Sequence, residues 1–197
     1  MTADRAQVRR TVALSIPNLL TYGRIAAVPA VVACFYVPSL TSRWIALGIF
    51  VLAAISDFFD GYLARIWQQQ SALGRMLDPI ADKLLVAACL LMLASDGTIA
   101  SWSLLAAIVI LCREILVSGL REFLAELQVS VPVTQLAKWK TTVQMIAVGF
   151  LLAGPAGDQV LPGNTLIGIL LLWVSAILTL YTGWDYFRAG IGHIIEE

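Results

Sequence analysis

Six long and largely apolar stretches, separated by short polar connections, constrain the fold of this chain more than any other feature. They cover roughly residues 16–38, 43–66, 77–95, 100–124, 133–154 and 163–187. A helix of about 20 apolar residues spans the hydrocarbon core of a bilayer. The sequence therefore predicts an all-α polytopic membrane protein, a bundle of six transmembrane helices preceded by a short N-terminal cytoplasmic amphipathic segment.

Composition and charge placement support a membrane protein. Of the 197 residues, 59% are hydrophobic and 13% are charged, too few charges to cover a soluble domain of this size. The formal net charge is zero, so nothing indicates a nucleic-acid partner. No internal repeat divides residues 1–197, and we expect a single membrane domain. Basic residues mark the cytoplasmic side of membrane proteins, and those outside the six stretches collect on one predicted side, which predicts an inner-membrane protein with both termini and the active site facing the cytoplasm.

Four aspartates lie within or at the ends of the second and third stretches. On helices, Asp57 and Asp60 share one face at i,i+3 spacing, and Asp78 and Asp82 share another at i,i+4. Close carboxylates repel one another unless they are protonated or bridged by cations, and a charge at membrane depth costs about 2.5–3.5 kcal/mol on insertion scales. Oxygen ligands suit Mg²⁺ or Mn²⁺. We therefore predict that the four aspartates hold two divalent ions, which can clamp a phosphoryl group.

The neighbours of the aspartates point to a nucleotide diphosphate. Gly61 and Ala64 are small enough to let a flat ligand approach, Arg65 offers a planar fork suited to phosphate, and Gly74 stands beside the second pair. A purely structural alternative is open: Asp57 and Asp60 would pair with Arg65 and Lys83 at a helix end, with Asp78 as a helix cap.

The run D-x2-D-G-x2-A-R-x8-G-x3-D-x3-D over residues 57–82 resembles the signature of the CDP-alcohol phosphatidyltransferases at every position. Residues 17–24 resemble the first helix of that family. Residues 113–123, 138–142 and 181–186 resemble the corresponding segments of bacterial phosphatidylglycerophosphate synthases in particular. The resemblance thus covers most of the chain, and its specificity lies in the aspartate signature.

That resemblance implies residue roles and a reaction. It implies metal ligation by Asp57, Asp60 and Asp78, and a general-base role for Asp82, which can also touch metal. It implies contacts with the CDP moiety from two regions, by Leu20, Thr21, Tyr22, Gly23, Gly61, Ala64, Arg65, Ser71 and Gly74. The implied reaction transfers the phosphatidyl group of CDP-diacylglycerol to sn-glycerol 3-phosphate, with release of CMP, in a homodimer surrounded by membrane lipids.

Cationic and polar residues outside the signature have two interpretations each. The candidates for holding the acceptor phosphate are Arg113, Arg121, Lys138 and Lys140. Arg121, Lys138 and Lys140 could equally be positive-inside anchors, and Arg113 could pair with Glu114 or another acid. In the first stretch, Asn18, Thr21 and Arg24 recur every three residues, and we expect this stripe to face the interior of the bundle.

Two other functions compete with this prediction. The same chemistry could use another acceptor, such as inositol phosphate, serine or phosphatidylglycerol. Buried acids also occur in ion-coupled transporters, whose sites lie near the midplane of inverted repeats. Here the acids lie toward one membrane face and the glycine–arginine pattern has no purpose in transport, so we favour the enzyme.

Overall fold

The structure, a computed structural model, describes the backbone of residues 16–67, 72–127 and 135–195. Side chains are described in the same ranges except at 16–17, 58–67, 72–73, 75, 137 and 189–195. The described residues form six α-helices and no strand: α1 (Ile16–Phe35), α2 (Leu40–Trp67), α3 (Ala72–Ser95), α4 (Ser103–Glu126), α5 (Gln135–Asp158) and α6 (Asn164–Ile195). The predicted all-α class is confirmed, and each helix overlaps one of the six apolar stretches. The predicted N-terminal amphipathic segment lies outside the described residues.

The chain divides into two compact units, Met1–Met92 and Leu93–Glu197. In the first unit α1 packs against α2. Ala46, Phe50 and Ala53 are buried on α2, and Val31 is buried on α1. Small residues such as alanine allow two helix backbones to approach closely in a membrane, so this surface brings the polar side of α1 next to α2.

In the second unit α6 packs against both α4 and α5. The buried positions on α4 include Ala106, Ile110 and Val117, whose spacing keeps them on one helix face. On α6, a Cβ added at Gly168 would lie 2.9 Å from Cδ2 of Leu151. Glycine at this position therefore permits close contact between α5 and α6.

Helix α5 continues to Asp158, beyond the predicted end at residue 154, but with a break at Gly154 (φ 44°, ψ −126°). Glycine adopts this positive φ without steric cost. The break and Pro155 interrupt the helical hydrogen bonds, and the Asn164 side chain compensates, since its Nδ2 donates to the carbonyl of Phe150 at 2.9 Å and of Gly154 at 3.3 Å. A Cβ at Gly157 would lie 2.4 Å from this Nδ2, so the arrangement requires glycine there.

The carboxylate of Asp158 caps the start of α6. Oδ1 accepts the backbone N–H of Thr165 at 3.0 Å, and Oδ2 accepts the Thr165 hydroxyl at 2.5 Å. These hydrogen bonds, and most strongly the one from the Thr165 hydroxyl, hold the pKa of Asp158 below its usual value. The cap fixes where α6 begins after the α5–α6 turn.

Four of the described helices carry windows long and apolar enough to cross a membrane: Asn18–Phe35, Leu40–Asp57, Ser103–Glu126 and Asn164–Arg188. Helix α3 falls outside this set because Asp78, Asp82 and Lys83 lie in its first half, and α5 carries Lys138, Lys140 and Gln144 near its start. Large apolar side chains such as Leu52, Leu91 and Ile177 are exposed, which suits a lipid-facing surface. The chain is therefore a membrane-embedded helical protein.

Candidate active site

The polar stripe of α1 faces the protein interior, as its spacing predicts. Asn18 is 2% exposed, and Thr21 and Arg24 are each 1% exposed. A buried arginine in a membrane helix has to be paired with acids, since its charge cannot reach water. Its partners in this structure are the signature aspartates.

One guanidinium gathers the three signature aspartates whose side chains the structure describes. Nη1 of Arg24 lies 2.6 Å from Oδ1 of Asp57 and 2.6 Å from Oδ1 of Asp82. Nη2 lies 3.5 Å from Oδ1 of Asp78, which also accepts the hydroxyl of Thr21 at 2.5 Å. Residues from α1, α2 and α3 therefore meet at one point, and the predicted convergence of the two aspartate-bearing helices is confirmed for these three residues.

The exposure of the acids differs sharply from that of the arginine. The side chains of Asp57, Asp78 and Asp82 are 47%, 44% and 46% exposed, against 1% for Arg24. All three contact the guanidinium through Oδ1, so the Oδ2 atoms make none of these contacts. Among these four described side chains, one cation contacts three carboxylates, so the ionised group of four is net negative. Half-exposed, oxygen-only and net negative, this donor set fits hard divalent cations.

The structural alternative is wrong for Asp78, which lies inside α3, a helix that begins at Ala72, and is not a helix cap. Asp57 pairs with Arg24 of α1. The side chains of Asp60 and Arg65, on which the rest of the alternative depends, lie outside the described side chains. The sequence pattern identified the polar stripe of α1, but its spacing could not show that Arg24 would lie between Asp57 and Asp82.

The residues expected to contact CDP are described unevenly. Ser71 lies outside the described residues, and only the backbone is described for Asp60, Gly61, Ala64 and Arg65, all within α2. Gly74 is buried on α3. On α1, Leu20 and Tyr22 are partly buried, Thr21 joins the aspartate cluster, and Gly23 is exposed with no atom within 4 Å of an added Cβ.

The second unit contains a separate cluster of charges centred on Glu114. Its Oε1 accepts a hydrogen bond from Lys140 and another from Nη1 of Arg113 at 3.3 Å. Nη2 of Arg113 donates to the Thr182 hydroxyl at 3.1 Å. A Cβ at Gly183 would lie 3.1 Å from Cγ of Arg113, so α6 approaches this arginine closely. The alternative that Arg113 pairs with Glu114 is confirmed.

The four candidates for binding acceptor phosphate divide by exposure. The side chains of Lys140 and Arg113 are 5% and 11% exposed, whereas Arg121 and Lys138 are exposed. Arg121 donates from Nη2 to the Tyr186 hydroxyl at 3.2 Å and lies over the Tyr186 ring, 5.5 Å from its centroid.

Sequence reasoning gave no role to Thr182 or Tyr186 and treated Glu114 only as a possible partner of Arg113. The resemblance of residues 181–186 to phosphatidylglycerophosphate synthases was the available signal for the two α6 residues.

Comparison with known proteins gives a consistent result. The sequence model of the family described as CDP-alcohol phosphatidyltransferase matches residues 14–181. A relative from Rickettsia bellii (strain RML369-C) is 47% identical over 89% of this chain and 94% of its own length. Relatives from Cereibacter sphaeroides and Salmonella choleraesuis are 40% and 39% identical, each over 93% of this chain and 98% of their own length. All three are named CDP-diacylglycerol--glycerol-3-phosphate 3-phosphatidyltransferase. The chain belongs to the CDP-alcohol phosphatidyltransferase family.

Proposed function

We propose that this chain is an enzyme that transfers the phosphatidyl group of CDP-diacylglycerol to sn-glycerol 3-phosphate, giving phosphatidylglycerol phosphate and CMP. The observation that carries the proposal is the convergence of Asp57, Asp78 and Asp82 on the Arg24 guanidinium, at 2.6–3.5 Å. The choice of donor and acceptor is supported by the names of relatives that match nearly the whole chain.

The proposed cofactors are two divalent ions, Mg²⁺ or Mn²⁺, held by Asp57, Asp60, Asp78 and Asp82. The half-exposed carboxylates support this assignment because their Oδ2 atoms make none of the Arg24 contacts. When bound, such ions neutralise the diphosphate and stabilise negative charge on a departing phosphate. The CDP moiety is assigned to Leu20, Thr21, Tyr22, Gly23, Gly61, Ala64, Arg65, Ser71 and Gly74.

In the proposed reaction Asp82 is the general base. It removes the proton from the acceptor hydroxyl, whose oxygen forms a bond to the β-phosphorus of CDP-diacylglycerol. The bond from that phosphorus to the bridging oxygen breaks, and CMP leaves with the oxygen and its electron pair. Asp82 suits this role because Nη1 of Arg24 lies 2.6 Å from its Oδ1. This contact fixes the side chain and leaves Oδ2 for proton transfer.

Arg113 and Lys140 are the proposed ligands of the acceptor phosphate. Two cations share one counter-ion, Glu114, so the cluster keeps a net positive charge when all three are ionised. A phosphate monoester offers several oxygens to such donors. Lys138 is exposed, and we assign it to the membrane surface as a positive-inside anchor, with Arg121 held by Tyr186 at the edge of the cluster.

Replacing Lys140 with methionine, which keeps most of its length without the charge, is expected to raise KM for glycerol 3-phosphate. A charge-assisted hydrogen bond contributes about 1.5–3 kcal/mol, or on the order of 10- to 100-fold. Steady-state kinetics with each substrate varied in turn would show the rise for glycerol 3-phosphate and not for CDP-diacylglycerol. Lys138→Met is the matched control and should change either KM by less than about twofold, as expected of an exposed side chain. Equal effects of the two substitutions would contradict the assignment.

The reaction itself is tested with a panel of acceptors. Purified protein with Mg²⁺ or Mn²⁺ and CDP-diacylglycerol should release CMP fastest with sn-glycerol 3-phosphate, and slower with serine, inositol phosphate or phosphatidylglycerol. Preference for one of the other alcohols would overturn the acceptor and leave the family chemistry intact. No CMP release with any acceptor would contradict the enzyme and favour the transport alternative.

The proposed topology has six membrane spans, with both termini and the active site on the cytoplasmic side of the inner membrane. The six described helices overlap the six predicted apolar stretches and so support it, and four of them contain strongly apolar windows within the described residues. In this topology the polar residues of α3 and α5 lie near the cytoplasmic ends of these helices. The distribution of basic residues independently assigns the same side to the cytoplasm. A homodimer embedded in membrane lipids is the proposed assembly, by resemblance to the family.

A further inference from the structure

We propose that Arg24, assisted by Thr21, is a positioning residue that holds the signature carboxylates together as a preformed divalent-cation site. This inference rests on the metal site of the proposed function, but not on the identity of donor or acceptor. Arg24 lies on α1, outside the signature of residues 57–82, and its guanidinium contacts aspartates of both α2 and α3.

Exposure determines what the guanidinium can reach. The Arg24 side chain is 1% exposed, while the three acids that contact it are 44–47% exposed. The acids therefore have faces open to a ligand, and the arginine does not. Direct binding of the diphosphate by Arg24 does not fit this burial, whereas orientation of the acids does.

The geometry uses the planar fork of arginine. Nη1 is shared between Asp57 and Asp82, and Nη2 points to Asp78. A lysine ammonium is a single point charge on a flexible stem and cannot reproduce this fixed fork. Thr21, one turn before Arg24, adds a neutral hydrogen bond to Asp78 at 2.5 Å. These five side chains form one network through the Oδ1 atoms of the three aspartates.

The electrostatic consequence concerns carboxylates that would otherwise repel one another. A fixed cation in contact with these acids lowers the electrostatic free energy of bringing them together from two helices. A divalent ion then binds to a site that is already assembled. Ligand groups held in place before binding give higher affinity than groups that must be ordered during binding.

The test measures Mn²⁺ binding by electron paramagnetic resonance on purified protein in detergent, without CDP-diacylglycerol or acceptor. Arg24→Gln and Arg24→Lys should each weaken Mn²⁺ binding at least tenfold, because both lose the fork. Thr21→Val, a nearly isosteric and neutral change, should weaken it severalfold. Arg43→Gln is the matched control: Arg43 lies near the start of α2 against the Phe35 ring, 4.9 Å from its centroid, and its replacement should leave Mn²⁺ affinity unchanged.

Each outcome decides the proposal. Wild-type affinity in Arg24→Lys would mean that charge alone suffices and would overturn positioning by the fork. Unchanged or tighter binding in Arg24→Gln would make Arg24 only a competing counter-ion. If the Arg24 variants do not yield folded protein by size-exclusion chromatography and circular dichroism, Thr21→Val decides, and unchanged binding there overturns the proposal.

The positioning role of Arg24 and the proposed transferase reaction can fail independently in these experiments. Weakened Mn²⁺ binding in the Arg24 variants, in a protein that releases no CMP with any acceptor, would support the positioning role and reject the proposed reaction. A wild-type protein that binds no Mn²⁺ would overturn the positioning role together with the metal site.

Discussion

Asp82→Asn is expected to lower the rate of CMP release by about 10²–10⁴-fold, the range that a positioned general base contributes. The amide cannot take a proton from the acceptor hydroxyl. The substitution changes little in shape, and the amide oxygen can still accept the hydrogen bond from Nη1 of Arg24, which lies 2.6 Å from Oδ1 in the wild type. The protein should therefore stay folded. The rate of CMP release at saturating substrate concentrations measures turnover, and circular dichroism on the same sample measures whether the protein is folded.

The matched control for this substitution is Asp96→Asn. Asp96 lies in the turn after α3, where its Oδ1 accepts the backbone N–H of Thr98 at 2.9 Å, and an amide oxygen can do the same. This variant should keep wild-type turnover. Full activity of Asp82→Asn would reject the base assignment. Asp82 is also a proposed metal ligand, so a loss of turnover that saturating Mn²⁺ restores would leave it with that role alone.

Asp57→Ala is the second substitution for which we expect a large effect, a decrease in turnover on the order of 10³-fold or more. A bound metal ion supplies several kcal/mol of transition-state stabilisation, and each 1.36 kcal/mol changes the rate tenfold. The alanine removes one oxygen donor from the proposed site, so Mn²⁺ binding should weaken in the same variant. Arg24 keeps its contacts with Asp82 and Asp78, and the fold should persist.

Ser56→Ala is the control for Asp57→Ala. Ser56 precedes Asp57 in α2, and its hydroxyl donates within the helix to the Leu52 carbonyl at 2.7 Å. Because it makes that bond within its own helix, its replacement should leave turnover and Mn²⁺ binding near wild type. Retained turnover in Asp57→Ala would show that this carboxylate is not an essential ligand, whatever the family resemblance implies.

Sequence periodicity predicted the local features of the molecule well. Helical spacing put Asp78 and Asp82 on one face of α3, and both contact the same guanidinium. The same spacing predicted that Asn18, Thr21 and Arg24 face inward, and all three are buried. Such predictions succeed because the face on which a residue lies depends on 3.6-residue periodicity within a single helix.

Contacts between helices were harder to predict. Burial and the Glu114 ion pair separate Lys140 from Lys138, two residues away on the same helix, although both are equally basic in sequence. The Gly154 break was expected as the end of a helix. It is a kink instead, because the Asn164 side chain bonds the carbonyls that the break leaves open.

The six helical stretches, the spacing of the aspartates and the inward face of α1 were determined by the sequence alone, since each depends on residues within one helix. The tertiary structure decided which charges meet: Arg24 between Asp57 and Asp82, and Glu114 between Lys140 and Arg113. These pairings depend on how the helices pack side by side, through contacts between residues far apart in the chain, and the periodicity of a single helix carries no information about its neighbour.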